Sequence, residues 1–88
     1  MQMYYFDVHD GLQKFVDQSG ISLKGIEEVP AEVEALLRLL AYEHTHDAKP
    51  IVIKATVRDG EGRKVFRATI VAGHGGIVVT GLYPSPSR

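Results

Sequence analysis

The chain has 88 residues, a net charge of −1 and no cysteine, which is the length of one domain and leaves no disulfide framework, thiolate nucleophile or Cys-based zinc site. Leu, Ile, Val and Phe make up 26 of the 88 residues, enough for one modest core, while a chain this short encloses little cleft. No apolar run approaches the ~18 residues of a membrane span, and no basic region followed by an apolar run opens the chain, so a cytoplasmic protein with no membrane contact is expected.

The small net charge conceals a split. Residues 1–50 carry nine acidic against four basic side chains, and residues 51–88 carry six basic against two acidic ones. Such asymmetry has two physical readings. Either the halves complement each other across strands inside one fold, or the basic half meets an acidic partner such as nucleic acid.

In chain order, Met3–His9 is rich in β-favouring types, and its alternation sets Tyr4, Phe6 and Val8 on one face and Tyr5, Asp7 and His9 on the other. Asp10-Gly11 signals a turn, and Lys14–Asp17 is expected to return as a short antiparallel strand closed by Ser19-Gly20. Ile21, Leu23 and Ile26 then tether the following loop to the core. From Pro30 to about His46 the period becomes helical. Val29, Val33, Leu36, Leu37, Leu40 and Ala41 form one apolar stripe, Pro30 suits the first turn, and Lys49-Pro50 stops the helix.

Ile51, Ile53, Ala55 and Val57 alternate with Val52, Lys54, Thr56 and Arg58. After the Asp59–Gly62 turn, Phe66, Ala68 and Ile70 alternate with Val65, Arg67 and Thr69. This order predicts a two-layer α+β domain over residues 1–72, β-β-α-β-β, with one helix on one face of a four- to five-stranded, mainly antiparallel sheet. Residues 73–88 form a C-terminal extension. It holds an extra strand within 77–82, in its own sheet or a neighbour's, and a flexible end from Tyr83.

The opening Tyr4-Tyr5-Phe6-Asp7-Val8 followed by Asp10-Gly11, then Asp17, Gly20, Leu23, Ala31-Glu32, and Val57-Arg58-Asp59 leading through Gly62-Arg63 into Val65 resemble a group of short bacterial proteins catalogued as a domain of unknown function. The resemblance spans roughly residues 3–70. It implies a compact domain in a bacterial cytoplasm and brings no activity with it. The segment from Gly73 onward departs from the usual short ending of that group.

Candidate chemistry is sparse. His44, His46 and Asp47 have the residue types of a divalent metal site, but residues two apart on a helix point about 200° apart, and histidines at a helix C-terminus are already favoured by its dipole. Asp7, Asp10 and Asp17 could converge across the first hairpin on a hard cation; Asp10 and Asp17 are also ordinary turn and strand-end residues. His74 lies among glycines that precede a β-prone segment, which is not the strand–glycine–helix order of a phosphate cradle. The serines lack the context of a hydrolase elbow. No catalytic residue, metal ligand set or cofactor site is therefore assigned.

The sheet face away from the helix should display Tyr5, Asp7, His9, Lys54, Thr56, Arg58, Arg67 and Thr69, flanked by Val52 and Val65. Its plain reading is a solvated face with Asp7–Arg ion pairs. A tyrosine beside cations is also the chemistry that stacks and neutralises single-stranded nucleic acid. Leu39 and Tyr42, three apart and off the main stripe, offer a second contact surface. The leading expectation is a non-enzymatic interaction module, a homodimer or a binder of a protein partner, acting through Tyr5, Lys54, Arg58, Arg67, Ile77 and Val79 by strand addition or sheet stacking. The second is a nucleic-acid-binding or regulatory module using Lys54, Arg58, Arg63, Lys64 and Arg67.

Overall fold

The computed structural model describes residues 1–44, 49–73 and 76–84, with 80–84 described as backbone. It shows the two-layer α+β fold with one helix packed on one face of an antiparallel sheet. The sheet has six strands, because the first return comes in two pieces and the C-terminal segment adds a strand to its own sheet.

Strand β1 (Gln2–His9) buries Tyr4, Phe6 and Val8 as the alternation requires. The return is β2 (Lys14–Phe15), placing Phe15 opposite Val8, and then β3 (Ile21–Leu23), placing Ile21 opposite Tyr4. Between those pairings the returning chain has Val16–Gly20 where β1 has only Tyr5–Asp7. The surplus leaves the sheet, so the expected strand through Asp17 stops at Phe15. Ile21 and Leu23 belong to a strand rather than a tethering loop. Leu23 is buried, whereas Ile26 remains 47% exposed and tethers little.

Helix α1 (Val29–Ala41) has Pro in its first turn and buries Val29, Val33, Leu37 and Ala41; Leu36 and Leu40 pack partly against the same core. The α-helix ends earlier than the sequence suggests. The buried stripe stops at Ala41, and without apolar anchoring the next residues tighten into a 3₁₀ turn, Tyr42–His44.

Strand β4 (Ile51–Asp59) buries Ile53, Ala55 and Val57, and β5 (Lys64–Gly73) buries Phe66, Ala68, Ile70 and Ala72. The ladder shifts between Val57, opposite Phe66, and Arg58, opposite Lys64, so Val65 is an extra residue on β5. Its partnerless position explains why Val65, expected on the open face, packs partly against the core. Strand β6 (Gly76–Pro84) pairs antiparallel with β5 from Gly73↔Gly76 to Phe66↔Pro84. Gly73 fits there because it has φ +147° and because a Cβ would stand 2.9 Å from the Pro50 Cα. The order across the sheet is β2-β1-β4-β5-β6, with β3 beside β1 on the β2 side.

The packing separates leucines that look alike in sequence. Leu37→Ala should lower stability by about 2–5 kcal/mol, whereas Leu39→Ala, at a position 69% exposed, should stay within about 0.5 kcal/mol. Urea unfolding of the two variants followed by circular dichroism measures both.

Candidate functional site on the open sheet face

Residues paired across antiparallel strands share a face, so the register gives the open face row by row. One row runs Tyr5, Arg58, Lys64; the next Asp7, Thr56, Arg67; the next Lys14, His9, Lys54, Thr69; and the last Val52, Val71, Val78. The face thus grades from a polar cluster, through a cationic band, to a row of valines.

The polar cluster fills the gap in the first hairpin. Arg58 Nε donates to Asp7 Oδ2 at 2.7 Å and Nη2 to Asp7 Oδ1 at 3.1 Å, a two-pronged contact on the strand diagonal. Arg58 Nη2 also donates to the Asp17 carbonyl at 2.9 Å. The Asp17 amide donates to Asp7 Oδ1 at 2.9 Å. The Asp17 carboxylate in turn accepts the amides of Phe6, Ser19 and Gly20 at 3.0–3.1 Å. The Arg58 guanidinium lies 5.1 Å from the Tyr5 ring centroid. Gly20, at φ +74°, meets the edge of that ring, where a Cβ would come within 2.8 Å.

These contacts decide how several sequence expectations resolve. Asp7 and Asp17 do converge, but on a guanidinium rather than a cation site, because Arg58 already supplies the positive charge. Asp10 stands apart, its carboxylate accepting the Leu12 and Gln13 amides of the turn. Tyr5 has one ring face covered by Arg58. Arg63 is held by Asp59 and Glu61, each at 3.0 Å. Ile77 and Val79 stand opposite Ala72 and Ile70 and pack against the core, so they face the helix layer while Tyr5, Lys54, Arg58 and Arg67 share the open face.

Of the proposed metal ligands, His44 ends the 3₁₀ turn, while His46 and Asp47, like His74 and the segment from 85 to 88, lie outside the described residues. Among the described residues no group of three or more His, Cys, Asp or Glu side chains is arranged to hold a metal ion, and no helix is long and apolar enough to cross a membrane.

Two features escaped the sequence reading. Lys14 joins His9 and Lys54 in one row and lines with them, Asp7, Thr56 and Lys64 a shallow depression of about 380 Å³. The signal was available, since a hairpin turning at Asp10–Gln13 aligns Lys14 with His9. On the helix side, Phe15, Ile21, Leu36 and Leu40 line an apolar groove of about 370 Å³ floored by Phe6 and Val8. The groove exists because the return strand breaks beside it, and the break has no periodicity to reveal it.

A family profile described as a domain of unknown function, DUF6894, matches residues 3–72. The chain belongs to that family. No curated protein and no solved structure matches it.

The cluster carries a pH prediction. Burial pushes the Asp7 and Asp17 carboxyls up, and hydrogen bonds outweigh it: from Arg58 and the Asp17 amide to Asp7, and from three amides to Asp17. Both carboxyls end below the ordinary carboxylate value. A carboxyl lowered in the folded state stabilises fully above its unfolded value near ~3.9, and that contribution is lost as pH falls through the lowered folded value. Stability should therefore decline steeply below about pH 4. Asp17→Asn should cost about 1–3 kcal/mol at pH 7 and flatten the decline, as urea midpoints at pH 7, 5 and 3 will show.

Proposed function

We propose that the chain is a non-enzymatic interaction module that self-associates as a homodimer by strand addition at the outer edge of β6. The observation that carries this reading is the contrast between the two edges of the sheet. One edge is broken into a two-residue and a three-residue strand. The other is β6, nine residues long, terminal in the sheet and without a charged side chain in Gly76–Pro84. Proteins that keep an edge strand solitary usually mark it with charges, Pro or bulges or keep it short; β6 is long and uncharged, with one register shift opposite Thr69–Ile70 and a proline only at its end.

An antiparallel strand pairs with a second copy of itself about a two-fold axis, so a single edge suffices for a closed dimer. The valine row supports the same direction. It runs outward to Val78, which is 61% exposed on β6, so the sheet of a second copy would continue over apolar surface. A heterologous protein strand would use the same edge. The bacterial, cytoplasmic setting expected from the sequence belongs to this reading.

The nucleic-acid reading is weaker than the composition suggests. Two of its five cations, Arg58 and Arg63, are held by carboxylates, and one face of its stacking aromatic, Tyr5, is covered by Arg58.

Light scattering of the wild-type chain should give about twice the 9.7 kDa chain mass. Val78→Lys, at an exposed position, should give the monomer mass with unchanged circular dichroism. A wild-type monomer, or a variant that remains dimeric, refutes pairing through β6.

A further inference from the structure

Three arginines and three lysines of this chain are treated differently by the fold. Arg38, Arg58 and Arg63 each hold a carboxylate at 3.0 Å or closer. Lys14, Lys54 and Lys64 are exposed, and none has a carboxylate partner among the described residues, yet all three line a shallow depression on the open face. Like charges on neighbouring strands repel. Here Lys64 is paired directly with Arg58, and Lys14 and Lys54 flank His9 from either side, two strand spacings or roughly 10 Å apart.

The one carboxylate lining the depression does not quench this charge. Asp7 has its Oδ2 occupied by Arg58 and its Oδ1 shared between Arg58 and the Asp17 amide. Uncharged donors complete the lining. The Thr56 hydroxyl is one. His9 is another: its Nδ1 accepts the Gly11 amide at 3.3 Å, which leaves the Nε2–H as the donor of the neutral ring. Three ammonium groups, an imidazole N–H and a hydroxyl surround an open hollow in which the single lining carboxylate, Asp7, is engaged by Arg58.

We infer that the Lys14–His9–Lys54–Lys64 depression binds a small phosphate-bearing anion, a diphosphate group either free or at the end of a nucleotide. Three cations call for a multiply charged ligand, which favours phosphate over a single carboxylate, and lysines bind phosphate as point charges without needing bidentate geometry. The hollow suits a compact group better than a long strand, because the aromatic partner a nucleic-acid base would stack on is engaged by Arg58. The site is separate from the β6 edge and stands or falls independently of dimerisation.

The test is calorimetric titration of the full chain with inorganic pyrophosphate at about 20 and about 200 mM salt, with amide NMR shifts mapped in parallel. Pyrophosphate should bind, weaken with salt and shift the amides of His9, Lys54 and Thr56; acetate should not bind. Lys54→Glu should weaken binding roughly tenfold or more, the loss of one charge-assisted contact. Lys24→Glu, the same charge change away from the depression, should leave it within about twofold once screened by salt. Adenosine diphosphate binding equally well assigns the free diphosphate as the recognised part, and tighter binding assigns a nucleotide. No pyrophosphate binding at low salt, equal loss in both variants, or binding of a single-stranded oligonucleotide alone overturns the proposal.

Discussion

Everything on the open side of this domain depends on how Arg58 is shared between Asp7 and Asp17. The first hairpin does not close by strand pairing alone, because its return has two residues too many between β2 and β3. Such a gap leaves main-chain donors without ladder partners, and buried donors must be satisfied. The Phe6 amide, which faces the gap, is taken by the Asp17 carboxylate. The Asp17 amide is taken by Asp7, and its carbonyl by Arg58. Side chains thus replace the missing rungs of the ladder. The guanidinium and the Asp7 carboxylate are only 26% and 16% exposed, so the pair is screened less than a surface ion pair and has a fixed geometry.

The same contact explains the charge split along the chain. Acidic residues from the first half, Asp7 and Asp17, meet a basic residue from the second, so part of the asymmetry is internal complementarity. It is not all of it. By claiming both the arginine and the nearest carboxylate, the cluster removes the one acid that would have neutralised the neighbouring lysines. The cationic band is a by-product of closing the hairpin with an arginine, and its position beside the cluster follows from the register of β1 on β4.

How much of this was readable in advance follows from which forces have a period. Burial does, so the core residues of β1, β4, β5 and α1 and the layer architecture could be read from alternation and stripe. Turn chemistry does too: Asp59 accepts the Glu61 and Arg63 amides and Gly62 takes a positive φ, as an Asp-x-x-Gly turn should. Insertions have no period. The break at Val16–Gly20 and the extra Val65 each change what faces where without altering composition, and the helix end depends on where buried contacts stop. The opposite faces of Tyr5 and Ile77 could not be read until strand order was known. Among the residues that carry the family resemblance, Asp7, Asp10, Asp17, Gly20, Arg58, Asp59 and Gly62 all have main-chain or cluster roles. What resembles the family is largely the device that closes this fold, which is why the resemblance implies a compact domain and no activity.

The two edges of the sheet therefore have opposite characters for one reason. Closing the hairpin through side chains lets β2 and β3 stay short and irregular, and an irregular edge offers a neighbouring strand few consecutive donors and acceptors. Strand β6 has no such knot beside it. It is held by its ladder to β5 and, among the described side chains, by Ile77 and Val79 on the core, and its outer edge carries no charged residue. A domain built this way leaves the long, uncharged edge on one side, where the proposed strand pairing would occur, while the face between the edges presents its lysines to solvent. Pairing through backbone at β6 and anion binding through side chains at the Lys14–Lys54 row involve different atoms on different surfaces, so one domain of this size has room for both.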